Sequence, residues 1–159
     1  MKLISPHFAF GLAVLAFAAT LHGSAQTCTS AISFPKTGEK VREQEDVKGT
    51  ASIPADTYLW VLARRDDQPK TFFWPQGSVK ASDMQGEPPT WDVSITFGVD
   101  RDKGKRFRVV VIIVDAATHA RLTRWMEEAP AKNYAPWQGL PTTVKGCTLT
   151  DVVVEKSAE

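Results

Sequence analysis

Side chains able to do acid–base, nucleophilic or metal chemistry are sparse in this chain. Three histidines (His7, His22, His119) and two cysteines (Cys28, Cys147) are the whole supply of imidazole and thiol in 159 residues. A hydrolytic triad needs a nucleophile beside a base that is itself oriented, and a structural zinc site needs several clustered thiolates or imidazoles. No Gly-x-Ser-x-Gly elbow, no Cys-x-x-Cys and no His-x-x-x-His occurs. Acidic residues pair at Asp66-Asp67, Asp100-x-Asp102 and Glu127-Glu128. The second opens like a calcium loop, but Lys103, Gly104 and Lys105 follow where more oxygen ligands are required. Both aspartate pairs therefore read as solvated turn acids. Neighbours on a helix do not face each other, which argues against joint acid–base work by Glu127 and Glu128. Lys103-Gly104-Lys105-Arg106 has no interleaved aromatic residue, so it reads as a solvated hairpin tip and not as a nucleic-acid site. The expectation is a non-catalytic protein with no metal ligand and no cofactor.

The N-terminus reads as an address. Met1-Lys2 supplies a positive start, Phe8 to Leu21 an apolar run, and Gly23-Ser24-Ala25 a small-residue cleavage site. As a helix that run would span about 21 Å, short of the ~30 Å hydrocarbon core, so a signal peptide over residues 1–25 is expected rather than an anchor. The mature chain, residues 26–159, would then be periplasmic or secreted, with no membrane insertion after cleavage. Cleavage removes Lys2, His7 and His22 and leaves His119 as the sole imidazole. The full chain carries a formal net charge of +1, too little to draw in nucleic acid or an anionic membrane surface. Hydrophobic residues at 43% suit one globular domain. Cys28 and Cys147 lie near opposite ends of that domain, and export places them where disulfides persist; a bridge is expected, with two free thiols as the alternative.

What must position any site is a set of short strands. Turn chemistry recurs at Pro35–Gly38, Pro54–Asp56, Asp66–Pro69, Pro75-Gln76-Gly77, Gly86–Pro89 and Asp100–Gly104. Between turns, Val47, Gly49, Ala51 and Ile53 alternate with Lys48, Thr50 and Ser52, and Trp91, Val93, Ile95 and Phe97 with Asp92, Ser94 and Thr96. Period two with one wet face indicates an antiparallel sheet over a core. Tyr58–Ala63 and Phe107–Val114 are apolar on both faces and predict central strands with the outer side covered. Shorter strands are expected at Ala31–Phe34, Lys70–Trp74 and Thr148–Glu155. About seven strands without a βαβ rhythm predict a mainly β fold, an antiparallel β-sandwich.

One helix interrupts the pattern. Asp115 caps it, Pro130 stops it, and Leu122, Trp125 and Met126 fall on one face that must rest on the sandwich, with the outer face of Phe107–Val114 as its seat. His119 precedes Leu122 by one turn and is expected to border that stripe. By periodicity Trp60, Trp91 and Trp125 are core. Trp74 and Trp137 instead lie beside Pro and Gly-containing turns, and with Tyr134 they are the candidate ligand-binding residues. The alternative is that Trp74 and Trp137 pack on each other or cover an end of the core.

The order Val47-Lys48-Gly49-Thr50-Ala51, Tyr58-Leu59-Trp60-Val61, Trp74-Pro75-Gln76-Gly77, Trp91-Asp92-Val93 and then a hydrophobic strand resembles exported bacterial immunoglobulin-like (fibronectin III-like) β-sandwich domains. The resemblance covers roughly Ile32 to Lys156. It implies an immunoglobulin-like sandwich serving as an adhesive, spacer or recognition unit, and it carries over no active-site residues. The chain departs from the pattern in its terminal cysteines, which do not match an inter-sheet bridge against a buried Trp, and in the helix inserted before the last strand. The function expected is an exported module that binds a protein partner in the cell envelope or outside the cell. The alternatives are a carbohydrate-binding module stacking sugars on Trp74, Tyr134 and Trp137, and an enzyme of unrecognised type.

Overall fold

A computed structural model describes residues 28–158. The expected signal peptide lies outside them. The strands are β1 (Thr29–Phe34), β2 (Lys40–Val41), β3 (Gln44–Ser52), β4 (Tyr58–Arg65), β5 (Phe72–Lys80), β6 (Thr90–Thr96), β7 (Arg106–Val114), β8 (Trp137–Gln138) and β9 (Thr150–Lys156), with helix α1 (Ala116–Glu128) between β7 and β8. They form two sheets, β1-β3-β6 and β2-β9-β7-β4-β5-β8. The fold is a mainly β sandwich. One pairing departs from the antiparallel expectation: β2 runs parallel to β9, with Lys40 opposite Glu155.

Period two places the core. From the small sheet Val47, Ala51, Trp91, Val93 and Ile95 point inward and meet Leu59, Val61, Val109, Val111 and Ile113 of the large one. Gly49 sits opposite Trp91 and Ile32, and a Cβ there would strike both the Trp91 ring and the Ala31 carbonyl. Glycine at that position is what lets the indole lie against the strand.

The other faces of β4 and β7 form a second apolar layer. Trp60, Leu62, Val110, Ile112 and Val114 pack with Phe73 and with Leu122 of α1, which is fully buried. The helix therefore covers the outer face as expected. Asp115 caps it by accepting from the Thr118 N–H at 2.7 Å. Its apolar stripe is narrower than the sequence predicts. Leu122 is buried, Trp125 only half-buried and Met126 exposed. Trp60 and Trp91 are core residues, whereas Trp125 is not.

A second correction concerns Pro75-Gln76-Gly77, expected as a turn. These residues continue β5, which reaches Lys80. The register slips there: Val61 faces Gly77 and Leu62 faces Pro75, so Gln76 is the extra residue of a bulge. A bulge near a sheet edge tolerates proline, since the missing N–H leaves no ladder bond unmade. The side chain of Gln76 turns its kink to use. Oε1 accepts from Thr96 N at 2.9 Å and so ties β5 to β6 of the opposite sheet.

The disulfide between Cys28 and Cys147 is formed, with the Cα atoms 4.6 Å apart. Cys28 leads into β1 and Cys147 into β9, so the bridge joins the two sheets. Beside it Thr150 Oγ1 donates to the Ser30 carbonyl at 2.8 Å.

Candidate binding cleft

At the end of the sandwich remote from the disulfide, a cleft of about 690 Å³ opens between the C-terminal half of α1, the start of β5 and the loop after β6. Its size suits a small molecule or a few residues of a peptide. Trp74 and Pro75 from β5, Trp125 and Met126 from α1, and Tyr134 and Val99 from loops supply apolar surface. Arg64, Arg65 and Arg101 supply positive charge, and Asp102 is the acid among the lining residues.

The aromatic wall depends on how α1 ends. After Pro130–Lys132 the chain reverses through Asn133 and Tyr134, whose φ values are +51° and +52°. Two successive left-handed residues other than glycine are uncommon and unfavourable for a bulky tyrosine. Three bonds hold them: Asn133 N donates to the Pro130 carbonyl at 3.2 Å, Tyr134 N to the Ala129 carbonyl at 2.8 Å, and Trp74 Nε1 to the Tyr134 carbonyl at 2.9 Å. The reversal leaves Tyr134 59% exposed. Val99, Met126 and Tyr134, three of the large hydrophobic side chains that face solvent among the described residues, thus gather at one cleft.

Ion pairs build its floor. Arg65 bonds Asp67 at 2.6 Å and Asp102 at 2.5 Å. Asp102 also accepts from Val99 N at 2.9 Å, which pins the loop carrying Val99. Burial pushes the Asp102 carboxyl up, but the Val99 N–H and the Arg65 guanidinium more than offset this and hold it below the usual carboxylate range. The bond to Arg65 keeps Asp67 low as well. Next door, Asp66 is shared by Arg64 (3.3 Å), Arg106 (3.4 Å) and Arg108 (3.5 Å), and Arg108 also pairs with Asp151. Asp66 and Asp102 are therefore not the solvated turn acids that the sequence suggests. They are anchors for arginines. Among the described residues no group of three or more His, Cys, Asp and Glu side chains is placed to hold a metal ion.

His119 borders the helix stripe as expected and has a definite role there. Its ring stacks on Tyr58 at 3.7 Å between centroids, and Nδ1 accepts from Trp60 Nε1 at 3.1 Å. Burial lowers its pKa, which favours the neutral ring that this bond requires. It lies outside the residues that line the cleft.

Of the three sequence-predicted binding residues, Trp74 and Tyr134 come together in the cleft. Trp137 does not line it; half-buried, it packs against the layer beneath α1, opposite Phe73. Arg64, Trp125, Met126 and Val99 were missed. A signal existed for Arg64, since Trp60, Leu62 and Arg64 share one face of β4 by period two, which sends a charge under the helix. No family model, curated protein or solved structure matches the chain.

Proposed function

We propose that this protein is an exported, non-catalytic immunoglobulin-like module that binds a protein partner in the cell envelope or outside the cell. Three features support the reading. The strand order β1-β3-β6 against β9-β7-β4-β5 follows the A-B-E against G-F-C-C′ arrangement of immunoglobulin-type sandwiches. The Cys28–Cys147 disulfide suits an oxidising compartment, and no described helix is long and apolar enough to cross a membrane. The observation that carries the reading is the cleft: aromatic and aliphatic side chains beside arginines, on a rigid sandwich, have the composition of a protein-contact patch. The acid that lines the cleft, Asp102, is held by Arg65, while the arginines outnumber it.

The test is a photo-crosslinking amino acid placed at Tyr134, and separately at Phe34 as a remote exposed site, in the producing cell. One recurrent protein adduct from position 134 alone, lost with Trp74→Ala, is the expected result. No adduct, or the same adducts from both positions, refutes the module reading.

The second reading, a carbohydrate-binding module, is favoured by the meeting of Trp74, Trp125 and Tyr134, since flat rings can carry a sugar face. It uses those three residues in place of Trp137. Retention on a polysaccharide column, abolished by Trp74→Ala and Tyr134→Ala, would support it over the first.

A further inference from the structure

We propose that the cleft receives an acidic peptide segment bearing an apolar anchor residue; this rests on the binding role above and names its ligand. The charge balance of the cleft points there. Arg64 is only 7% exposed, yet among the described residues its guanidinium makes just two long contacts, 3.3 Å to Asp66 and 3.4 Å to the Arg65 carbonyl. A guanidinium carries five N–H donors in a fork that matches a carboxylate, and a buried cation without full partnership is costly. Asp66 cannot complete it, because that carboxylate is also shared with Arg106 and Arg108. Arg101, on the cleft rim, has no ion pair among the described residues. The Asp102 carboxylate is already engaged, one oxygen by Arg65 and the other by Val99 N, which reduces its repulsion of an incoming anion.

Two other features make the anion a peptide. Gln68 lines the cleft, and its Oε1 accepts no hydrogen bond among the described residues, which leaves a side-chain amide able to turn toward a main-chain N–H. Val99 and Met126 are aliphatic and exposed, 50% and 38%. An apolar side chain covers such surface well, whereas a sugar would set its hydroxyl rim against it. One ligand that brings a carboxylate, an amide N–H and an apolar side chain within a few ångströms is an acidic peptide. The carboxylate is either an Asp/Glu side chain or the C-terminus.

Two phage libraries of random octapeptides, one fused internally and one with free C-termini, are selected on the purified protein. The expected result is enrichment of Asp or Glu next to an aromatic or aliphatic residue, or of a free C-terminus after one; which library yields binders identifies the carboxylate. In fluorescence polarisation the best synthetic peptide should weaken on the order of tenfold when its carboxylate becomes an amide. Arg101→Gln, at an exposed position, should weaken it several-fold and flatten its salt dependence, and Arg64→Gln should act in the same direction, with the urea midpoint checked for both. Phe34→Ser should change nothing. Peptides that need Trp74 but show no carboxylate preference overturn this assignment and leave the module reading standing. An absence of binders, or displacement of nothing but an oligouronate from the cleft, overturns it too; the Tyr134 cross-linking then decides the module reading separately.

Discussion

The two ends of this sandwich are held by different physics. At one end a covalent bridge joins the run into β1 to the run into β9, with Cys28 itself in the core and Ser30 bonded to Thr150 alongside. At the other end nothing is covalent. Arg64, Arg65, Arg106 and Arg108 are laced to Asp66, Asp67, Asp102 and Asp151, Lys156 is buried against Glu43 at 2.8 Å, and the aromatic wall depends on a strained reversal held by Trp74. A disulfide acts mainly by restricting the unfolded chain and adds no surface chemistry. Ion pairs add little net stability when exposed, but they arrange charge where a partner can meet it. The difference teaches a division of labour: the closed end secures the fold, and the open end is free to carry aromatic and cationic groups that a core would exclude.

The strongest way to test this division is to cut the staple. Cys28→Ala with Cys147→Ala should lower stability by up to about 4.7 kcal/mol, the chain-entropy value for a loop of ~100 residues. Urea unfolding with and without reductant measures it. A loss below about 1 kcal/mol would mean that the closed end needs no covalent help. Next in size is Leu122→Ala, which removes the buried anchor of the helix that carries Trp125 and Met126 to the cleft. A cost of about 2–5 kcal/mol is expected from the cavity left behind, read from the same denaturation curves. Smallest is Asp102→Asn, expected to cost about 1–3 kcal/mol through loss of a charged hydrogen-bond acceptor.

Asp102 also predicts a pH signature that separates the ends. Its folded-state pKa lies below its unfolded value of about 3.9, so the carboxylate stabilises the fold above that pH, and the contribution is lost as pH falls through the folded value. Wild-type stability should therefore fall on acidification below about pH 4 more steeply than that of Asp102→Asn. Parallel curves would show that the Arg65 pair contributes nothing. The disulfide does not titrate, so amide exchange in acid should quicken around Val99 and Asp102 before it does around Cys28.

Much of the scaffold was legible because its signals are local. Alternation at Val47–Ile53 and Trp91–Phe97 placed the inner faces, two-sided apolarity at Tyr58–Ala63 and Phe107–Val114 marked central strands, and Asp115 with Leu122 announced the helix and its seat. The failures share a cause. Pro75-Gln76-Gly77 has turn residues, but pairing with β4 and the reach of Gln76 to Thr96 draw them into a bulged strand, a tertiary override of local preference. Trp125 and Met126 follow helical spacing, yet the face of β4 that carries Trp60 and Leu62 ends in Arg64 where an apolar floor would be needed.

The cleft was only half visible. Trp74 was singled out by a Pro-Gln-Gly neighbour that proves to be a bulged strand, and Tyr134 as a further aromatic, while Arg64, Val99 and Trp125 became cleft residues only through the meeting of β4, the loop after β6 and the end of α1. The amino-acid sequence by itself determined the layers, the helix and the means for a disulfide, because periodicity, capping and residue type act over a few positions. Which side chains share a cleft, which carboxylates serve arginines and which tryptophan is left covering the second core depend on contacts between distant segments. Packing and charge pairing across space decided those, and no spacing along the chain encodes them.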